Sequence, residues 1–120
     1  MVIGDHQFFR GYTLLLCKEH KTELHELKPD FRKAFLWEMS EVAAAIYRAF
    51  HPEKLNYELL GNTDSHLHWH LFPRYKNDPE PKKPVWSIDK SICFAESAKP
   101  SSEKLENLKD TLRKQLHRFN

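Results

Sequence analysis

A small α+β domain, built from an antiparallel sheet, one central helix and a C-terminal helix, is the fold this sequence predicts. Three observations predict it. Apolar residues recur at helical spacing from Pro29 to Phe50. They alternate with polar ones over 55–59 and again over 66–72. Leucines return at spacings of three and four after Ser101. At 120 residues the chain is the size of a single core. The expected division is a core over 1–75, a proline- and charge-rich connection over 76–100, and a helix over 101–118.

Each element has its own signal. "MVIG" reads as the end of a strand and "DHQFFRG" as a turn; Gly11 then precedes a short apolar run, Tyr12 to Cys17, whose length and flanks favour a buried strand. From Pro29 the period changes: Phe35, Leu36, Met39, Val42, Ala43, Ile46, Tyr47 and Phe50 share a helical face. Pro29 suits the first helical position, Asp30 meets the positive end of the helix dipole, and Pro52 ends the run. Leu55, Tyr57 and Leu59 alternate with Asn56 and Glu58, a strand closed by Gly61-Asn62. In "SHLHWHLF", Leu67, Trp69 and Leu71 point one way and His66, His68 and His70 the other. The short connection between these two runs favours an antiparallel pair. The stretch 76–90, with its prolines and charges, reads as a loop. Beyond it Leu105, Leu108, Leu112, Leu116 and Phe119 mark an amphipathic helix that starts near Ser101 or Ser102, with Glu103 in its first turn.

Composition excludes several function classes. A formal charge of +2 with no basic run or stripe gives no reason to expect a nucleic-acid partner. Cys17 and Cys93 stand far apart, in no CxxC pair, so a zinc knuckle, a redox motif and a disulfide framework are not expected. No apolar stretch approaches the roughly 18 residues of a membrane span, and the N-terminus lacks the features of a signal peptide. A cytoplasmic protein with no membrane partner is the expectation.

The chemistry is concentrated in one place. Three of the eight histidines lie within five residues. On a strand, alternate side chains share a face and advance about 6.5–7 Å per step, so the outer two have Cα atoms about 13 Å apart. Zinc accepts imidazole, but three ligands on one straight strand converge poorly, and the ion wants a further carboxylate or thiolate; only Asp64 is near in sequence. A phosphate site uses the same geometry better. The middle imidazole attacks phosphorus in line while its neighbours bond phosphate oxygens, and near neutral pH a useful fraction of imidazole is uncharged. The bland alternative is a solvated polar face opposite an apolar one. Elsewhere, His20 follows a strand and could reach a ligand or be an ordinary loop residue. His6, His25, His51 and His117 read as surface or cap residues, and Trp86 as core packing or a cover over a neighbouring subunit or substrate. Arg74 could counter phosphate charge or lie exposed after its strand. Lys82, Lys83 and Lys104 read as solvated charge.

"HLHWHLF" resembles the alternating signature of the histidine triad (HIT) superfamily, and "PRY" after it resembles its nucleotide-hydrolase branches. "GYTLLLCKEHKTELHEL" and "KLNYELLGN" are similar to the segments that precede the family's central helix and its triad. The resemblance implies a HIT-like domain that forms a homodimer, often with one sheet continuous across both subunits. It implies hydrolysis or transfer of a nucleoside monophosphate, typically AMP, from phosphoramidates, dinucleoside polyphosphates or related donors, through a covalent histidine–nucleotide intermediate. It assigns His68 as nucleophile, His66 as its orienting neighbour and His70 as a contact to phosphate and the bridging atom. It places Asp5 on the ribose and Asn62 and Thr63 near the phosphates, with no metal and no cofactor. Tyr12 stands where members often carry a fourth histidine, so a phosphate contact there passes to the tyrosine hydroxyl. The loop from Asn62 to His66 is shorter and poorer in glycine than in several branches. Members also carry a further N-terminal strand, so a truncated start is a further expectation. A nucleotide-binding module without turnover and a metal-dependent hydrolase are the alternatives to the enzyme.

Overall fold

The computed structural model describes residues 1–116. Four strands form one antiparallel sheet: β1 (Val2–Ile3), β2 (Thr13–Leu16), β3 (Lys54–Glu58) and β4 (His68–Arg74), in the order β1-β2-β4-β3. Helix α1 spans Pro29–Phe50, α2 is a single turn at Lys90–Cys93, and α3 spans Ser102–Leu116. The α+β class, the central helix and the C-terminal helix are as the sequence predicts. Phe119 and the end of the expected 101–118 helix lie outside the described residues. No helix among the described residues is long and apolar enough to cross a membrane.

Local chemistry accounts for the boundaries. Pro29 opens α1, where its missing N–H costs nothing. His51 closes it in the left-handed conformation, its N–H donating to the Tyr47 carbonyl, and Pro52 cannot continue the helix. Gly11 has φ +92, and a Cβ there would stand 2.5 Å from the Phe50 ring. The turn into β2 therefore requires glycine both for its backbone and for its closeness to the end of α1.

The sheet buries both of its faces, by different means. On one side Leu15, Leu67 and Leu71 pack against Phe35, Val42, Ala43, Ile46 and Phe50 of α1, with Leu112 of α3 joining from behind. Tyr47, expected on this face, is 54% exposed instead, and Ala45 takes a buried place. On the other side Phe9, Tyr12 and Phe72 pack against Val85, Ile88 and Cys93. Residues 76–100 are thus folded over the sheet, with 3-10 turns at Val85–Ser87 and Glu96–Ala98 flanking α2.

The reason lies in β4. His68, His70, Phe72 and Arg74 alternate onto one face, so that face is polar at its first half and must be buried at its second. Arg74 supplies the anchor. Its guanidinium donates to the Asp78 carboxylate at 2.6 Å, to Asn56 Oδ1, and to the Glu80 and Lys83 carbonyls. It is 3% exposed. Of its two sequence readings neither holds: it is no exposed residue, and its donors are committed to pinning the proline-rich stretch onto the sheet.

Candidate active site

The register sets the site. Antiparallel pairing with β2 places Leu14 opposite His70 and Leu16 opposite His68. Pairing with β3 places Glu58 opposite His70 from the other side. His66 lies just before β4 rather than in it. Three hydrogen bonds hold this segment: Asp64 Oδ1 accepts from the His66 N–H, the Leu67 N–H donates to the Lys21 carbonyl, and the Cys17 N–H donates to the Leu67 carbonyl.

A chain of hydrogen bonds runs from the His66 carbonyl through the imidazoles of His68 and His70 to Tyr12. His68 Nδ1 lies 2.6 Å from the His66 carbonyl and His68 Nε2 lies 3.0 Å from His70 Nε2. His70 Nδ1 lies 2.7 Å from the Tyr12 hydroxyl. Because a carbonyl only accepts, the His68 Nδ1 carries the proton and the Nε2 of neutral His68 is a lone pair. The contact between the two Nε2 atoms then requires a proton on His70 Nε2, which leaves His70 Nδ1 to accept from Tyr12. With both rings neutral, one pattern of protons satisfies all three contacts. Burial, and secondarily the charge of His68, pushes His70 down to about 4, so it stays neutral over the ordinary range. Burial, with the nearby Glu58 carboxylate adding, pushes the Tyr12 phenol up, so it keeps its proton.

His66 is held separately. Its Nε2 donates to the Cys17 carbonyl at 2.7 Å, and its Nδ1 faces His20 Nδ1 at 3.1 Å. His20 therefore belongs to the network, through His66. The order from the strand is two rings in a row and one ring turned back, not three parallel rings.

A cleft of about 350 Å³ opens beside His68 and His70, and Asn62, Thr63, Asp64, Trp86 and Lys90 contribute to its walls. Asn62 and Thr63 are thus brought to the triad. Asp5 is exposed on the β1–β2 connection and is not among the residues lining this cleft. Tyr12 is 6% exposed and reaches the site only through His70. Trp86 sets its edge on His70, with ring centroids 5.3 Å apart, and stacks on Phe94. It packs on the aromatic cluster and is 38% exposed at the cleft. Lys90 carried no sequence signal, since a lysine in a charged tail reads as solvated. Glu58 was equally silent, because only strand pairing puts it across from His70. Its carboxyl is pushed up by burial, against the pull of the Trp86 N–H and Arg74. His6 leans edge-on against Phe94, while His25 and His51 are exposed. His117 lies outside the described residues. Among those residues no three His, Cys, Asp or Glu side chains converge as a set that would hold a metal ion; Cys17 and Cys93 are buried free thiols.

Chemically, the arrangement pairs one lone pair with one N–H, 3.0 Å apart, beside an open cleft, where a substrate that parts the two rings meets both. A nucleophile and a donor to a departing atom need that placement.

Comparison with known proteins identifies the fold and the family. The curated protein named Protein hit from Bacillus subtilis (strain 168) is 30% identical over 116 residues, covering 92% of this chain and 74% of that protein. The crystal structure of a histidine triad (HIT) protein from Sinorhizobium meliloti 1021 is similar at a TM-score of 0.75 and 27% identity, covering 87% of this chain and 73% of that one. A histidine triad protein from Marinobacter aquaeolei VT8 is similar at 0.74 and 25%, covering 91% and 76%. A model of the HIT domain matches residues 6–77, a span that includes all three histidines, and the chain accordingly belongs to the HIT family.

Proposed function

We propose that this chain is a nucleotide phosphoramidase or nucleotidyl hydrolase that attacks the α-phosphorus of an AMP-type substrate. The observation that carries the reading is the bond from His68 Nδ1–H to the His66 carbonyl, which leaves the His68 Nε2 lone pair at the cleft. His68 Nε2 forms a bond to phosphorus as the bond to the leaving group breaks. His66 orients the nucleophile through its carbonyl, and His70 donates its Nε2–H toward the bridging atom. Asn62 and Thr63 bond phosphate oxygens from the cleft wall, and Asp5 accepts from a ribose hydroxyl. Water then attacks phosphorus, the P–N bond breaks, and its electron pair returns to His68 Nε2. No metal or other cofactor enters this scheme.

The working unit in this reading is a homodimer. It is supported by Trp37 and Tyr47, exposed on α1, and by Tyr57, exposed on β3, which is an open edge of the sheet. Unpaired strand edges and exposed aromatics invite a second copy.

AMP release from adenosine phosphoramidate and from diadenosine triphosphate, in excess chelator, tests the proposal. The wild type is expected to turn over at least one donor, and His68→Ala to lose on the order of 10³-fold or more while still binding nucleotide. Equal, negligible release by both proteins with nucleotide bound would leave the triad a binding module.

A further inference from the structure

The triad's last imidazole is held by a residue that leads into another strand, and that residue's hydroxyl favours one of the imidazole's protonation states. Tyr12 immediately precedes β2, and its ring is fixed on two sides. It stacks on Phe72 with centroids 4.1 Å apart and planes 7° from parallel. Gly4 lies against its edge so closely that a Cβ there would collide with the ring. The hydroxyl is left one partner, His70 Nδ1, at 2.7 Å.

The geometry points to Tyr12 as a positioning residue that holds His70 in the neutral Nε2–H form and so matches the site to leaving groups that depart as anions, of the phosphate, polyphosphate or carboxylate class, over amines. The inference rests on the hydrolase reading above and deepens it.

The groups around His70 bear this out. On its own strand it meets His68, at 3.0 Å between Nε2 atoms. Tyr12 reaches it from just ahead of β2, Leu14 from β2, Glu58 from β3, and the edge of Trp86 from the tail. Glu58 is across the strand but in no hydrogen bond with His70; one of its oxygens is buried without a partner. No carboxylate therefore sits on Nδ1 to stabilise an imidazolium. A phenol hydroxyl favours the neutral ring, since it donates well to an Nδ1 lone pair and its oxygen accepts only weakly from a protonated Nδ1.

A neutral Nε2–H is a hydrogen-bond donor but not a proton source. In the transfer step His68 Nε2 bonds to phosphorus and the P–O bond breaks. The electron pair leaves on oxygen, which departs as an anion held by the His70 N–H. No proton changes owner, and the balance closes. With an amine donor the P–N electron pair would leave on nitrogen, which departs only if it takes a whole proton. Neither neutral His70 nor the buried Tyr12 phenol supplies one readily. In the second step water attacks phosphorus, the P–N bond to His68 breaks, and the water proton passes to solvent.

The test uses the full chain and Tyr12→Phe, which keeps the ring and removes only the donor. Two readouts are taken. The first is the ¹⁵N spectrum of the His70 side chain, which distinguishes the protonated nitrogen without any turnover. The second is kcat and KM, across pH, on diadenosine triphosphate and adenosine phosphoramidate. Wild type is expected to show a proton on His70 Nε2 and to prefer the polyphosphate donor by on the order of tenfold or more. Tyr12→Phe is expected to mix the two tautomers and to lose about ten- to hundredfold in kcat on the polyphosphate donor, as loss of outer hydrogen-bond partners does. KM should stay constant and the preference between donors should narrow. An unchanged ¹⁵N pattern in Tyr12→Phe overturns the positioning role, whatever the kinetics. A wild type that prefers the phosphoramidate, or equal losses on both donors, overturns the leaving-group assignment. If neither donor is turned over, the hydrolase reading and the leaving-group assignment fall together, and the spectrum alone judges Tyr12.

Discussion

The Nε2 atoms of His68 and His70 face each other at 3.0 Å, a contact that with both rings neutral places one proton between them. Two imidazoles at that distance cannot both be charged without strong repulsion, and both being acceptors would waste the contact. The carbonyl of His66 at one end and the hydroxyl of Tyr12 at the other decide which ring has it.

Acid stability follows from the same pair. His70 titrates at about 4 instead of 6.5, because burial and then the His68 charge disfavour its imidazolium. The unfolded chain takes this proton near its ordinary value, while the folded chain refuses it until about 4. Between the two the unfolded state binds more protons, so stability declines as pH falls through that window and levels off below it. Thermal midpoints between about pH 7 and pH 4.5 should fall less steeply in His70→Phe than in wild type. Parallel slopes would place the acid sensitivity elsewhere.

Arg74 and Asp78 form an ion pair with side chains only 4% and 5% exposed. Removing one partner strands the other's charge, a loss of about 3–5 kcal/mol, whereas replacing both costs less. Urea unfolding of Arg74→Met should show this destabilisation at constant m, and Arg74→Met with Asp78→Leu should recover part of it. No loss in the single variant would show that the guanidinium is not what holds residues 78–83 to the sheet.

Trp37, 67% exposed, and Tyr47, 54% exposed, test the assembly. Sedimentation equilibrium should find a dimer for the wild type and a monomer for Trp37→Glu with Tyr47→Glu, because a dimer would bury two uncompensated charges per subunit. A wild-type monomer at concentrations of about 100 µM, far above those of tight pairs, would end the homodimer proposal.

Much of this protein was determined by its sequence alone. The period of α1 from Pro29 to Phe50, the antiparallel pair around Gly61, and the opposite faces of "HLHWHLF" are local patterns, because repeat length and turn chemistry are set by neighbouring residues. Alternation could also assign His68 and His70 to one face. It could not say what faces them. That Tyr12 lands on His70, that Glu58 stands across from it, and that Trp86 and Lys90 wall the cleft depend on strand register and on a tail folded back from beyond the sheet. The fate of Arg74 is the same kind of fact. A charged residue after a strand reads as exposed until the tertiary structure brings it a carboxylate, an amide and two carbonyls. Only tertiary structure decided these matters, because burial and hydrogen-bond partnership belong to pairs of residues distant in the chain, and a one-dimensional pattern specifies a face but not its neighbour.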